Sequence, residues 1–292
     1  TVIASIGLQG IRLANPSFGE TFLVSGLGLI GLLTAQLLIS QGCKVLGVDP
    51  DEERCLLARS YGINALNISE SVDQVAWCFN QTGNIGIDGA IITAATNSSQ
   101  PINLSAKSCR KRGRIILVGS TAINLKRDIF YEKEITFQVS CSYGPGRYDK
   151  SYEEKSNDYP IGFVRWTEQR NFQAILYSLE KKYLQTTKLI SHRFNLDDIK
   201  GAYKVLTGEE KNLGILIEYE NEFLDPSQKV IDEYTYKKNE IKILKKNPFI
   251  SFIGSGNYAS RILIPSFKKA GANFHTLVST SGITPSYFGK KF

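Results

Sequence analysis

Gly26, Gly28 and Gly31 stand in G-x-G-x-x-G spacing, and Asp49 follows eighteen positions after the last of them. Glycine at the first position permits a tight strand-to-helix turn, at the second leaves the backbone open to an approaching group, and at the third lets the helix lie close on the strand. The N–H groups that open such a helix, here those of Leu29, Ile30 and Gly31, have no partner within it and attract phosphate. A carboxylate at the end of the next strand accepts hydrogen bonds from a ribose diol and repels a 2′-phosphate. The chemistry these four positions can do together is to hold an adenine dinucleotide, with NAD favoured over NADP.

The elements that must position them are legible on either side. Residues 21–24 form an apolar run rich in β-branched and aromatic residues, which reads as a buried strand. Leu32, Leu33, Ala35, Leu37 and Leu38 recur at helical intervals, and residues 44–48 form a second strand that delivers Asp49. A helix over 1–14 precedes the first strand, with Gly7 and Gly10 allowing close approach. Further on, the pattern predicts a helix over 51–61 behind Pro50, a strand over 63–66, and a helix over 69–80 capped by Ser69 or Ser71. A strand over 87–96 ends on the small residues Thr93, Ala94, Ala95 and Thr96, which leave room for a nicotinamide ring. A helix over 102–111, a strand ending at Gly119 and Ser120, and an edge strand over 134–141 follow. Strands alternating with helices in this way specify an α/β fold, a doubly wound parallel sheet with its ligand crevice at the carboxyl ends of the strands.

Residues 142–160 are rich in glycine, proline and polar residues and read as a long loop. The next segment, 162–182, carries an apolar stripe of Trp166, Phe172, Ile175, Leu176 and Leu179, which reads as core. His192 reads as a structural residue between a strand and a helix capped by Asn195 or Asp197, and 213–219 as a closing strand. Residues 220–247 shift to Lys, Glu, Asn and Tyr and read as a linker. Then the opening pattern returns: an apolar run, Gly254-Ser-Gly256-Asn-Tyr-Ala259, a helix and another strand over 274–278. Alanine is an accepted third member of the motif. This second strand ends on Ser279, Thr280 and Ser281 with no acid, so NADP is not excluded there. The chain therefore reads as a nucleotide-binding domain over 1–219, with its sheet core at about 20–141 and a return segment at about 142–219, then the linker and a truncated second domain over 248–292.

Charge supports no nucleic-acid partner. The formal net charge is +7, but residues 1–226 hold 24 Lys and Arg against 25 Asp and Glu, while 227–292 hold 11 against 3. The excess belongs to the tail, without interleaved aromatics, and reads as a solvated linker. No apolar run is long enough to span a bilayer and no signal segment opens the chain, so a soluble, cytoplasmic protein with no membrane partner is expected. The five cysteines are scattered without a C-x-x-C pair, and only His192 and His275 could add imidazole ligands, so no metal site is expected within the chain. Methionine is absent, which reads as a fragment or processed product.

With these residues in view, 1–220 resembles the nucleotide-binding half of the zinc-type medium-chain alcohol dehydrogenases, through G-L-G-L-I-G, V-D-P, G-A-I-I-T-A-A-T, G-R-I-I-L-V-G and I-S-H-R-F. Residues 248–292 are similar to the beginning of the glucose-fructose oxidoreductase and inositol dehydrogenase family, through F-I-G-S-G-N-Y-A-S. In tandem, with Y-P-I-G-F-V-R-W-T-E-Q-R-N between them, they resemble bi-domain oxidoreductases encoded with bacterial surface-sugar genes. The resemblance implies a Rossmann fold followed by the first β-α-β of a second one. It implies cofactor contacts at Gly26, Gly28, Gly31, Asp49, Thr93 and Gly119, and a second, incomplete set at Gly254, Gly256 and Ala259. It implies no catalytic residue, because the first family's zinc ligands lie mainly in an amino-terminal domain and the second family's lysine lies beyond 292. Zinc is expected only if such a domain supplies it. The function expected is NAD(P)-dependent hydride transfer on a small alcohol or carbonyl substrate, by a homodimer joined through the edge strand near 134–141. A catalytically silent NAD-binding regulatory or scaffold module is the alternative.

Overall fold

Six strands whose side chains alternate between two apolar layers build the centre of the first unit. A computed structural model describes residues 1–69, 72–208, 210–219, 249–254 and 256–278. The chain divides into two units, 1–221 and 222–292. In the first, β1 (Thr21–Ser25), β2 (Lys44–Asp49), β3 (Asn64–Asn67), β4 (Ile87–Ile92), β6 (Cys109–Leu117) and β8 (Thr136–Val139) form a wholly parallel sheet in the order β3-β2-β1-β4-β6-β8. Sequence and structure agree on this doubly wound α/β arrangement. The order reverses beside β1, so the crevice opens over the turn after β1, where the glycines stand.

Alternation along β1 shows how the layers arise. Phe22 and Val24 enter a core formed with α1 (Val2–Ala14) and α2 (Leu29–Ser40), while Leu23 enters the opposite core with residues of α5 (Gln100–Ser108). Gly10 of α1 lies so close to the sheet that a Cβ there would stand 2.5 Å from a methyl of Val118. α3 (Glu52–Arg59) opens on Asp51, whose carboxylate accepts from the Glu53 N–H at 2.9 Å.

Several boundaries fall elsewhere than the pattern predicts. α4 (Gln74–Gln81) is capped by Asp73, which accepts from the Val75 and Ala76 N–H groups, and not by Ser69; Ser71 lies outside the described residues. The expected strand over 87–96 ends at Ile92, because Thr93 and Ala94 both turn their N–H groups to the Ser25 carbonyl. Ala95–Thr96 (β5) then pairs separately with Ser120–Thr121 (β7). The helix expected over 102–111 stops at Ser108, since Cys109 already pairs with Ile87 in the sheet. A helix absent from the sequence reading, α6 (Arg127–Lys133), precedes β8.

Residues 142–160 hold one short helix, α7 (Lys150–Glu153). α8 (Glu168–Glu180) packs Ile175 into the core, but Leu176 of the expected apolar stripe is 55% exposed. β9 (Ile190–Asn195) and β10 (Gly214–Glu218) form a separate parallel pair, and the helix between them, α9 (Ile199–Thr207), is capped by Asp198, not by Asn195 or Asp197. In the second unit β11 (Phe249–Ile253) and β12 (Asn273–Val278) are parallel, joined through a π-helical turn (Ala259–Leu263) and α10 (Ile264–Lys269). Phe252 packs edge-on against Phe267 and Phe274. The linker expected over 220–247 lies outside the described residues.

Candidate functional site

The turn after β1 is fixed by backbone bonds and by the absence of side chains. Gly26 has φ of +99° and gives its N–H to the Val48 carbonyl of β2 at 2.9 Å. A Cβ on Gly26 would stand 2.6 Å from the Ala94 nitrogen, and one on Gly31 would overlap the Gly26 carbonyl oxygen and stand 2.8 Å from Thr93 Oγ1. These two glycines are therefore steric requirements of β1, β4 and α2 meeting at one point. Gly28 differs: the nearest atom to a Cβ there is Arg54 Nη1 at 3.9 Å, so its missing side chain leaves room above the turn. Gly28 is also the N-cap of α2, and no side chain caps that helix. The first helical bond runs from the Leu32 N–H to the Gly28 carbonyl at 2.9 Å. Leu29, Ile30 and Gly31 thus present the helix start to the space Gly28 leaves, an arrangement suited to a pyrophosphate.

Asp49 reaches this turn from the end of β2. Its Oδ2 accepts from the Leu27 N–H at 2.7 Å and its Oδ1 from the Asp51 N–H at 2.9 Å. The side chain is only 4% exposed, and Arg54 Nη1 lies 3.8 Å from Oδ2. The acid is therefore at the rim where the sequence expects it, but each oxygen already holds one backbone donor, and Arg54 covers it. Each oxygen keeps acceptor capacity for a second donor. Arg54, 43% exposed, can swing aside at little cost.

Thr93, Ala94 and Gly119 frame the other side. Thr93 Oγ1 donates to the Gly26 carbonyl at 2.6 Å, binding the end of β4 to the turn. The Gly119 N–H goes to the Ile92 carbonyl at 2.8 Å, and a Cβ on Gly119 would stand 2.7 Å from the Thr93 carbonyl carbon. Both thus shape the crevice floor. Leu27 and Arg54 are missing from the sequence reading. Leu27 is fully buried against Gly47, a contact only tertiary packing discloses. Arg54 could have been found, since it lies in the first turn of a helix that starts beside the acid.

In the second unit Gly254 has φ of +97° and gives its N–H to the Val278 carbonyl at 2.7 Å. Gly256 accepts from the Ser260 N–H at 2.9 Å, and Ala259 is buried where the π-helical turn begins. His192 lies on β9 with Nε2 3.1 Å from Glu210 Oε1 and Nδ1 2.9 Å from Ser191 Oγ. Among the described residues no three of His, Cys, Asp and Glu are grouped to hold a metal ion. The donor set among the described residues does not fit zinc.

Residues 30–156 match the zinc-binding dehydrogenase family. The matched segment carries most of the parallel sheet, and residues 248–292 lie outside the match. D-guloside 3-dehydrogenase of Escherichia coli K12 is 28% identical over 194 residues, covering 64% of this chain and 51% of that protein. The zinc-type alcohol dehydrogenase-like protein YdjJ of the same organism is 27% identical over 220 residues, 72% of this chain and 53% of that protein. The chain thus spans about half the length of these curated relatives. In fold it is similar to 2R,3R-butanediol dehydrogenase of Bacillus subtilis, with a TM-score of 0.60 and 22% identity over 74% of this chain and 56% of that one. A similar structure from E. coli CFT073, with a TM-score of 0.57 and 20% identity over 73% of this chain and 56% of that one, is complexed with NADH. The relatives are zinc-type alcohol dehydrogenase-like oxidoreductases.

Proposed function

We propose that this chain is the cofactor-binding portion of an NAD(P)-dependent oxidoreductase that transfers a hydride between the nicotinamide and an alcohol or carbonyl carbon of a sugar or nucleotide sugar. One observation carries the reading: the space above Gly28 is bounded by an uncapped helix start on one side and by the Asp49 carboxylate on the other. The cofactor, when bound, supplies the hydride chemistry. The chain's own part is to orient it: the N–H groups of Leu29, Ile30 and Gly31 face the phosphates, Asp49 accepts from the adenosine ribose, and Thr93, Ala94 and Gly119 bound the nicotinamide end. Arg54 adds a cation 3.8 Å from Asp49, so the acid's repulsion of a 2′-phosphate is partly offset and NADP remains a ligand. The sugar class rests on the likeness to D-guloside 3-dehydrogenase.

Calorimetric titration with NAD and NADP tests the reading. Saturable binding that loses its NAD preference in Asp49→Ala supports it, and no heat with either cofactor overturns it. The second reading, a silent NAD-binding module, is favoured by the lack of a metal-ligand group among the described residues. Activity against alcohols and nucleotide sugars, with and without zinc, separates the two. We further infer a cytoplasmic homodimer joined along β8, the last strand of the sheet, where Val139 is 54% exposed. Light scattering at the monomer mass overturns the dimer. The Gly254, Gly256 and Ala259 turn is proposed as the start of a second nucleotide-binding domain.

A further inference from the structure

Away from the glycine turn, three helices enclose a cleft with an unusual charge. It lies between α1, the carboxyl end of α2 and α8, has a volume of about 380 Å³, and is lined by Arg12, Ser40, Gln41, Trp166 and Gln173 among others. The Arg12 guanidinium carbon lies 3.5 Å from the centre of the Trp166 ring and that of Arg165 3.9 Å from it. Two like charges therefore share one indole. Burial lowers the Arg12 pKa to about 10, and Arg165 adds to the effect.

Neither cation is compensated. Among the described residues no carboxylate lies within ion-pair distance of Arg12 or Arg165, and Arg12 Nε is buried without a hydrogen-bond partner. The neighbouring arginine shows what a purely structural role looks like. Arg170 pairs with Asp158 at 2.5 Å and donates to the carbonyls of Val164 and Tyr159. A buried Nε–H without an acceptor keeps its desolvation cost without return. Stacking on an indole offsets only part of that, on the order of 0.5–2 kcal/mol.

We propose that Arg12 and Arg165, held over Trp166, bind the phosphate of a small hydroxyl-bearing organic phosphate in the cleft between α1, α2 and α8. Two uncompensated cations match a phosphate dianion, and guanidinium forks match its oxygens. The volume exceeds a bare ion and falls in the range of small-molecule sites. Ser40 Oγ and Ser178 Oγ spend their protons on the Leu37 and Ala174 carbonyls, at 2.8 and 2.9 Å, which leaves their oxygens as acceptors for ligand hydroxyls. The side-chain amides of Gln41 and Gln173 are further donors on the same wall.

Trp166 is one of two tryptophans, so in a Trp77→Phe chain its fluorescence reports on this cleft alone. The probes are glucose 6-phosphate and inorganic phosphate, titrated to millimolar concentration, with circular dichroism to confirm folding. The expected result is a saturable change, tighter for glucose 6-phosphate, weakened about tenfold or more by Arg165→Gln. Arg165 is exposed and unpaired, so this variant keeps the fold; Arg12→Gln is the second. NAD binding at the glycine turn stays unchanged in Arg165→Gln, which distinguishes failure here from failure of the cofactor reading. No saturable change with either probe, or equal affinity in both variants, overturns the site. Equal affinity for the two probes assigns it to free phosphate and overturns the organic ligand.

Discussion

The two glycine-rich turns use the same backbone device and differ in what surrounds it. In each, the first glycine has a φ near +100° and sends its N–H to a valine carbonyl of the neighbouring parallel strand, Val48, next to the last residue of β2, for Gly26 and Val278, the last of β12, for Gly254. Around the first turn a Cβ on Gly26 or Gly31 meets backbone, and a buried acid closes over the loop. Around the second, among the described residues, a Cβ on Gly254 or Gly256 meets nothing within 4 Å. A shared motif thus fixes a shared turn, while the steric need for its glycines depends on what is packed against it.

The sharpest break is expected at the point of greatest crowding. Gly31→Ala should lower stability by about 3 kcal/mol, because the overlapping atoms are the Gly26 carbonyl and Thr93 and cannot move independently. A urea midpoint within error of the parent would show that the turn relaxes freely. Next, Asp49→Asn replaces one of two accepting oxygens with a donor that faces a backbone N–H, at a cost of about 2 kcal/mol. The same measurement checks it, together with weaker NAD binding by calorimetry.

A third contrast uses pH. Burial pushes the Cys109 thiol up to about 12 and Cys78 up to about 11, from 9.0. The fold thus retains these protons where the unfolded chain loses them. Their stabilisation is complete below about pH 9 and is lost as the pH rises toward the folded values. Residues 222–292 contain no cysteine, so the alkaline loss belongs to the first unit. Urea midpoints should fall as the pH rises from about 9 to about 11, less steeply in Cys109→Ala. An unchanged slope would remove the thiol from the account. The smallest effect is expected for Gly256→Ala, where the space is open and φ is not positive: a change of under about 1 kcal/mol, read by urea unfolding. A loss as large as that of Gly31→Ala would erase the contrast between the turns.

Much of the sheet was legible because a strand buried on both faces must be apolar along its buried length, as residues 22–24 and 45–48 are. Helix ends were less so. Asp73 and Asp198 cap their helices in place of the serines, asparagine and neighbouring acid the pattern offers, because several adjacent residues can do the same local work. Of the site, Gly26, Gly28, Gly31 and Asp49 were readable from spacing; the covering of Asp49 by Arg54 was not.

Residue order alone determined the strand-helix alternation, the two left-handed glycine turns and the acid that ends β2, since each follows from side-chain shape and local spacing. Only the tertiary structure decided that both oxygens of Asp49 take a backbone donor, that Thr93 ties β4 to Gly26, and that Arg12 meets Trp166. Those contacts join residues from 2 to 154 positions apart, and the longer of them exist only after the layers have packed.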